Sequence, residues 1–312
     1  MIRSKIGLGC WGFGGNAYGS ISIEQSIDVL NRALSHEIDF FDLSNLYGAG
    51  RAEIIFGEWL GSLSEKQFNS IKYTTKAGLL PHKGFEMPYD YSHHHLQVEI
   101  QRSLERLRRS ASIPIFLLHS PPPSELISDT ISDLRDRLVD DGLIDEFGVS
   151  LRAPSDILLL PGDKIDWVEV NFNLMDLRLI EDDRVIEFLK LHKIKVICRT
   201  PLAFGFLTNN PPSLAERTKF DSHLRNWSNE QFLVWEKGQQ LYKRKAGLIG
   251  LSLEALSLSF CASQDIISHV IPGAMSEAQI NSNLAGIRTL AKEEINDLIK
   301  IYKSHNFYVQ RK

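Results

Sequence analysis

Short apolar runs alternate with longer amphipathic stretches along most of the chain. Eight short runs have the length and composition of strands: Lys5–Gly9, Phe40–Leu43, Lys72–Lys76, Ile115–His119, Glu146–Ser150, Trp167–Asn171, Lys195–Arg199 and His269–Ile271. Seven longer stretches show helical spacing of apolar residues, near Ile23–His36, Ala52–Leu63, His93–Arg109, Ser124–Asp141, Ser155–Leu160, Asp183–His192 and Ser252–Ser263. Alternating strands and helices predict a parallel sheet, and eight such units favour a closed (β/α)8 TIM barrel.

Serines and one irregular stretch indicate where the predicted elements begin and end. Ser92, Ser124 and Ser155 stand at N-cap positions of predicted helices. Residues 208–235 form the one long stretch without a regular pattern, and a loop of that length is usually functional or contains short helices. We therefore predict a single barrel domain over residues 1–312, with a long loop near 208–235.

Composition narrows the class of partner. With 35 Lys and Arg against 39 Asp and Glu, the net charge of −4 gives no basic excess for binding nucleic acid or an anionic membrane. The chain shows no transmembrane run and no signal-peptide pattern. Cys10, Cys198 and Cys261 are too widely spaced for a disulfide framework or a zinc motif. We expect a cytoplasmic protein without a metal site.

Polar side chains close three consecutive predicted strands. Asp42 ends the second strand, and Tyr47 follows in the next loop. Lys76 ends the third strand and His119 ends the fourth. Since the active sites of such barrels lie at the carboxyl ends of the strands, the four side chains should converge. Each has an ordinary structural explanation by itself, as a cap, a packed ring, a solvated ammonium or a core histidine, but together they favour a shared chemical role.

These residue types suit proton transfer to a carbonyl oxygen. A phenol has a pKa near ~10, and a neighbouring ammonium lowers it. Asp42 would keep a buried Lys76 charged, and Lys76 would then tune Tyr47. His119 could donate a hydrogen bond to the substrate oxygen. The result would be an electrophilic pocket for a carbonyl that becomes an alkoxide as hydride arrives.

Three segments also carry a resemblance to a known family: Phe41–Gly48 (FDLSNLYG), Thr75–Gly78 (TKAG) and Leu117–Pro121 (LLHSP). In order, spacing and context they resemble the aldo-keto reductase superfamily, and the resemblance extends over nearly the whole chain. It implies a (β/α)8 barrel that binds NAD(P)(H) without a Rossmann domain. It also implies hydride transfer between that cofactor and a small aldehyde, ketone or sugar, with Tyr47 as general acid/base.

The same resemblance implies a set of cofactor contacts. Ser150 and Glu169 would face the nicotinamide amide, and the planar guanidinium of Arg199 would stack on the ring. The other implied contacts are Cys10, Trp11, Thr200, Leu202, Gly205, Leu207, Gly273, Ala274, Ser276, Gln279 and Asn283. Arg225, in the long loop, could reach a phosphate or the substrate.

Three features depart from the usual family pattern. Leu151 and Glu169 stand where many members have Asn and Gln, and a carboxylate cannot donate to the amide oxygen. Residues 273–279, the adenosine loop, contain no Lys or Arg for a 2′-phosphate, which favours NAD(H), whereas most of the superfamily uses NADP(H). The sequence is therefore compatible with either NAD(H) or NADP(H) as the cofactor. Few residues precede the first strand, so the N-terminal hairpin of the family is predicted to be shortened or absent.

Other interpretations are weighed against this one. Residues 85–92 resemble the aldose (galactose- or fucose-type) dehydrogenase branch, which favours a sugar substrate. Gly7-x-Gly9-x-x-Gly12 matches a dinucleotide fingerprint, but no helix is predicted before Ile23, which speaks against a Rossmann fold. Three adjacent histidines, 93–95, cannot share one metal ion on a helix. A non-catalytic, cofactor-binding regulatory barrel is the alternative function, and the sequence carries no signal of oligomeric state.

Overall fold

A computed structural model describes residues 2–81, 86–108, 112–127, 130–211, 213 and 227–309 of the chain. Eight parallel strands pair in chain order. They are β1 (Leu8–Gly9), β2 (Phe40–Asp42), β3 (Lys72–Ala77), β4 (Ile113–His119), β5 (Ile144–Ser150), β6 (Trp167–Asn171), β7 (Lys195–Arg199) and β8 (Ile267–Val270). Parallel bridges join Ile6 to Val270 and Gly9 to Gly273, so the first strand meets the last. The predicted barrel is confirmed.

Helices surround the strands. They are α1 (Ile23–Ser35), α2 (Arg51–Ser62), α3 (Glu65–Ser70), α4 (His93–Arg106), α5 (Pro123–Leu126), α6 (Thr130–Asp140), α7 (Arg178–Glu181), α8 (Asp183–Leu191), α9 (Asn229–Leu248), α10 (Leu253–Ala262), α11 (Glu277–Leu284) and α12 (Lys292–Lys303). Ser92 caps α4 as predicted, because its side chain accepts from the backbone N–H of His95.

Two predicted helices differ from the structure. The one expected over 124–141 is divided into α5 and α6, and α5 starts with Pro123 at its first position, where the fixed φ of proline suits a helix and Ser124 is not the cap. The one expected over 155–160 is a 3₁₀ helix, Pro154–Leu159, with Ser155 inside it. Short apolar runs do not carry enough periodicity to separate these cases.

The prediction of one irregular stretch over 208–235 is wrong for its last part, because α9 begins at Asn229. The Ser228 side chain caps it, and buried Phe232, Trp235 and Tyr242 lie on its inner face at helical spacing. Residues 212 and 214–226, with Arg225 among them, lie outside the described residues.

The barrel interior is small and apolar. Six buried side chains inside it form a separate apolar cluster: Phe40, Ile115, Leu117, Trp167, Ile197 and Ile271. A 3₁₀ turn, Ile2–Lys5, precedes β1. The strand register sets Lys76 beside Leu117, and Ser150 beside Glu169, at the carboxyl ends.

Three further predictions concern membranes, metals and thiols. Over the described residues no single helix has the length and apolarity to cross a membrane. Helices α9 and α10 pass that test only together, across an 88° bend, and every residue of α10 is buried in the fold. Within the same residues no three His, Cys, Asp or Glu side chains are grouped as metal ligands. All three cysteines are free and buried.

Candidate active site

Lys76 is the centre of a buried group of polar side chains at the carboxyl end of the barrel. Its ammonium donates to Asp42 Oδ1, to the backbone oxygen of Leu43 at 2.9 Å and to the Tyr47 hydroxyl at 3.1 Å. Thr74 Oγ1 donates to the same Asp42 oxygen at 2.6 Å. Neighbouring strands thus bring Asp42, Tyr47 and Lys76 together, as the sequence predicts.

Close backbone contact places Tyr47. Gly48 has a left-handed φ of 64°, and a Cβ there would lie 2.4 Å from the oxygen of Gly14 in the loop after β1. Arg51, at the start of α2, also links the two loops, since its guanidinium donates to the backbone oxygens of Phe13 and Ile21. The loop that carries Tyr47 is therefore fixed against the loop that follows β1.

His119 packs against the phenol ring of Tyr47. Its ring is perpendicular to that of Tyr47, with 6.4 Å between centroids. His119 Nδ1 lies 3.1 Å from Ser44 Oγ, and its backbone oxygen accepts from the Tyr91 hydroxyl at 2.8 Å. The fourth predicted residue therefore joins the other three.

Burial and charge set the protonation of these groups. Burial and the negative charge of Glu169 raise the pKa of Asp42 to about 7. Burial opposes the charge on Lys76, but Asp42 and Glu169 outweigh it and raise the pKa of the ammonium. Burial and Asp42 also raise the pKa of Tyr47. Lys76 acts on the phenol in the predicted direction, yet it does not outweigh burial, so the phenol is protonated at neutral pH.

Ser150, Glu169 and Arg199 form a second polar cluster that shares Lys76. Glu169 Oε2 lies 3.3 Å from Lys76 Nζ, while Oε1 accepts from Ser150 Oγ at 2.9 Å. Arg199 donates to Ser150 Oγ at 2.6 Å and to Asn171 Oδ1 at 2.7 Å. Burial alone would raise the pKa of Glu169, but Lys76 and Arg199 lower it to about 2.

An open cavity of about 2220 Å³ runs across this face of the barrel. Asp42, Tyr47 and His119 line it, and Lys76 lies behind them. Of the predicted cofactor contacts, those in the cavity wall are Trp11, Glu169, Arg199, Thr200, Leu202, Gly205, Gly273, Ala274, Gln279 and Asn283. Cys10, Ser150, Leu207 and Ser276 are not in the wall: the first three are buried, and Ser276 caps α11.

The cavity wall after β7 has an unusual backbone. Thr200, Ala203 and Phe204 have φ values of 52°, 45° and 57°, which side-chain-bearing residues rarely adopt. Asn173 holds this turn, because its side chain donates to the Thr200 oxygen at 3.0 Å. Strained backbone of this kind concentrates at functional sites.

Sequence reasoning missed several residues of the site. Ser44 contacts His119, and Asn171 orients Arg199 from the end of β6. Arg152 lines the cavity and donates through Nε to the oxygen of Ser120 at 2.7 Å. Their positions could have identified two of them, since Asn171 ends β6 and Arg152 follows β5, and the active sites of such barrels lie at the carboxyl ends of the strands.

The model of the aldo/keto reductase family matches residues 5–303. The chain belongs to this family. It is 28% identical to the uncharacterized oxidoreductase YqkF of Bacillus subtilis over 97% of this chain and 95% of that protein. Membership supports an oxidoreductase that uses a nicotinamide cofactor.

Two further relatives are informative. A probable voltage-gated potassium channel subunit beta of Arabidopsis thaliana is 27% identical to the aldo/keto reductase described here, over 91% of this chain and 87% of that one. The solved glycerol dehydrogenase of Gluconobacter oxydans has the same fold, with a TM-score of 0.77 at 22% identity over 98% of this chain and 93% of that one.

Proposed function

We propose that this aldo/keto reductase interconverts a small aldehyde, ketone or sugar and the corresponding alcohol, with Tyr47 as general acid/base. One observation carries the proposal. The Tyr47 hydroxyl lies 3.1 Å from the buried Lys76 ammonium, on the wall of the large cavity. An ammonium held beside a phenol at a cavity surface is the arrangement that an acid/base tyrosine requires.

Side chains of the site would transfer one proton to or from the substrate oxygen. In carbonyl reduction Tyr47 donates its proton to the substrate oxygen, and its raised pKa keeps that proton in place until charge develops there. Lys76 then stabilises the phenolate. The contact of His119 Nδ1 with Ser44 Oγ fixes the imidazole, and we assign Nε2 to the same substrate oxygen.

A bound nicotinamide dinucleotide would supply or accept the hydride. The cavity of about 2220 Å³ has room for it, and the backbone at Gly273 is open on the cavity side. Arg199, held by buried Ser150, would contact the nicotinamide end, the strained turn at Thr200 the middle, and the loop at Gly273 the adenosine end. The two carboxylate oxygens of Glu169 are already directed at Ser150 and Lys76.

The choice between NAD(H) and NADP(H) depends on the adenosine end. Gln279 accepts from the Met275 amide at 2.6 Å, so it is used to shape the loop. Arg32 of α1 is the nearby cation, and it donates to Asn281 Oδ1 at 2.8 Å. We propose that this loop favours NAD(H), since it offers no cation of its own to a 2′-phosphate.

The test is the Tyr47→Phe variant. We expect it to bind cofactor as the wild type does but to lose about 10²–10⁴-fold in kcat on the best carbonyl or sugar of a broad panel. Tyr18→Phe is the matched control, because Tyr18 lines the same cavity but packs on Trp11 rather than Lys76. Fluorescence titration of all three proteins with NADH and NADPH measures binding. Full activity in Tyr47→Phe would contradict the proposal, and a tenfold preference for NADPH would contradict the choice of NAD(H).

A second candidate is a cofactor-binding regulatory subunit, since the relatives of this chain include a probable potassium channel beta subunit. The two functions differ in one observable. A regulatory barrel would bind NADH or NADPH in the same titration but turn over no member of the substrate panel.

A further inference from the structure

Two carboxylates flank the one ammonium of the candidate site. Asp42 contacts Lys76 from β2, and Glu169 approaches to 3.3 Å from β6, on the far side of the barrel mouth. The exposed fraction of the side chain is 0% for Lys76, 5% for Asp42 and 2% for Glu169. Water therefore screens these charges less than it screens charges on the surface, and each one acts on the others.

Resting on the function proposed above, we infer that Glu169 is a positioning residue, whose carboxylate acts through Lys76 on Tyr47 and sets the pH range of proton transfer. Tyr47 and Glu169 both approach the same ammonium, so the charge of one is felt by the other. Glu169 contacts Lys76, Ser150 and Arg199 and also interacts with Asp42, so it acts on Tyr47 through the charges of this cluster and not by contact with the phenol.

The charges around Lys76 give the direction of this effect. They are Asp42 on β2, Tyr47 in the following loop, Glu169 on β6, the Cys10 thiol after β1, His119 at the end of β4, and Arg199 on β7, which faces Glu169. Glu169 adds a negative charge to this group. Burial and Glu169 both raise the pKa of Tyr47 and of Asp42. For Lys76 burial lowers the pKa, and Glu169 acts against it.

The chemical consequence is a bias in the protonation of Tyr47. A higher phenol pKa favours the protonated form, which is the proton donor in carbonyl reduction. Alcohol oxidation needs the phenolate, so Glu169 moves that direction to higher pH. Arg199, 3.4 Å from Glu169, limits the effect but does not cancel it, because Glu169 is still one of the charges that raise the pKa of Tyr47.

The experiment is a pH profile of kcat/KM for the holoenzyme, in both directions, with wild type and Glu169→Gln. The amide keeps the size of the side chain and can still accept from Ser150, but it removes the charge. We expect both limbs of the profile to move to lower pH, by about one pH unit or more. Glu53→Gln is the matched control, since Glu53 is fully buried too but bonds to Thr75 and Arg106.

A second measurement needs neither cofactor nor turnover. Infrared titration follows the protonated carboxyl band that disappears in Asp42→Asn. In the wild type we expect Asp42 to lose its proton near pH 7, and in Glu169→Gln at a pH lower by about one unit or more. The Glu53→Gln control should titrate as the wild type does.

The outcomes separate this inference from the proposed function. An unmoved Asp42 titration in folded Glu169→Gln overturns the inference, and so does an unmoved pH profile in an active variant. If the wild type turns over nothing, the proposed function fails, while the infrared titration still decides whether Glu169 sets the charge of the cluster. Equal shifts in Glu53→Gln would also overturn it, since they would show that any buried carboxylate has this effect.

Discussion

At the residue scale, the placement of Tyr47 depends on a backbone contact with no room for a side chain. A Cβ on Gly48 would lie 2.4 Å from the Gly14 oxygen, and the φ of 64° is itself unfavourable for other residues. We expect Gly48→Ala to cost about 1–3 kcal/mol of unfolding free energy and to lower kcat about 10²-fold, because the phenol is displaced from Lys76.

The control for this prediction separates strain from crowding. Gly142 has a similar φ of 68°, but a Cβ there would meet nothing within 4 Å. Gly142→Ala should therefore lose about 1 kcal/mol by urea denaturation and keep its kcat. If both variants lost activity equally, backbone strain alone would be responsible and the Gly14 contact would not matter.

At the element scale, α9 holds the chain's last described segment against the cavity. The Gln231 side chain, which is 1% exposed, donates to the Phe307 oxygen and accepts from the Val309 amide, both at 2.8 Å. Phe307, Tyr308 and Val309 all line the cavity. One amide side chain thus replaces the partner strand that this segment lacks.

Replacement of that amide should release the segment. We expect Gln231→Leu to cost about 1–3 kcal/mol, because two buried backbone groups lose their partners, and to raise KM more than it lowers kcat. Limited proteolysis near the carboxyl terminus would measure the release. Gln240→Leu, on an exposed position of the same helix, is the control, and an equal proteolysis rate in both variants would argue against the role of Gln231.

The elements also show what the sequence can predict. The ends of β2 and β4 are readable because in each a buried apolar run ends in one polar residue, Asp42 or His119, and the end of β3 is readable because Lys76 closes a run with β-forming Tyr73, Thr74 and Thr75. The contact between Glu169 and Lys76 is not readable, since β3 and β6 lie far apart in the chain and only closure of the barrel sets their distance. Helix α9 was missed in part because it starts directly after a polar, irregular stretch.

At the scale of the whole molecule, buried Asp42 and half-buried His269 give the free energy of unfolding opposite dependences on pH. Burial and the charge of Lys72 lower the pKa of His269 to about 4, while that of Asp42 is raised to about 7. Below pH 6.5 the unfolded chain takes up a proton on histidine that folded His269 does not, so this contribution to stability falls as the pH drops toward 4. Folded Asp42 binds a proton that the unfolded chain releases above about pH 4, so its contribution falls as the pH rises toward 7.

These opposed slopes predict the behaviour of His269→Phe. The ring stacks on Phe40 with 3.8 Å between centroids, so phenylalanine keeps the packing and removes the titration, while the hydrogen bond with the Lys5 backbone is lost at every pH. The free energy of unfolding of the variant, relative to that of the wild type, should be about 1–2 kcal/mol higher at pH 5 than at pH 7. Urea denaturation at pH 5 and at pH 7 measures this difference. Asp42→Asn should show the opposite dependence: its free energy of unfolding relative to the wild type should be higher at pH 7 than at pH 5. Identical pH dependence in wild type and His269→Phe would mean that the pKa of His269 is the same in the folded and unfolded states, and the opposition between the two groups would then not exist.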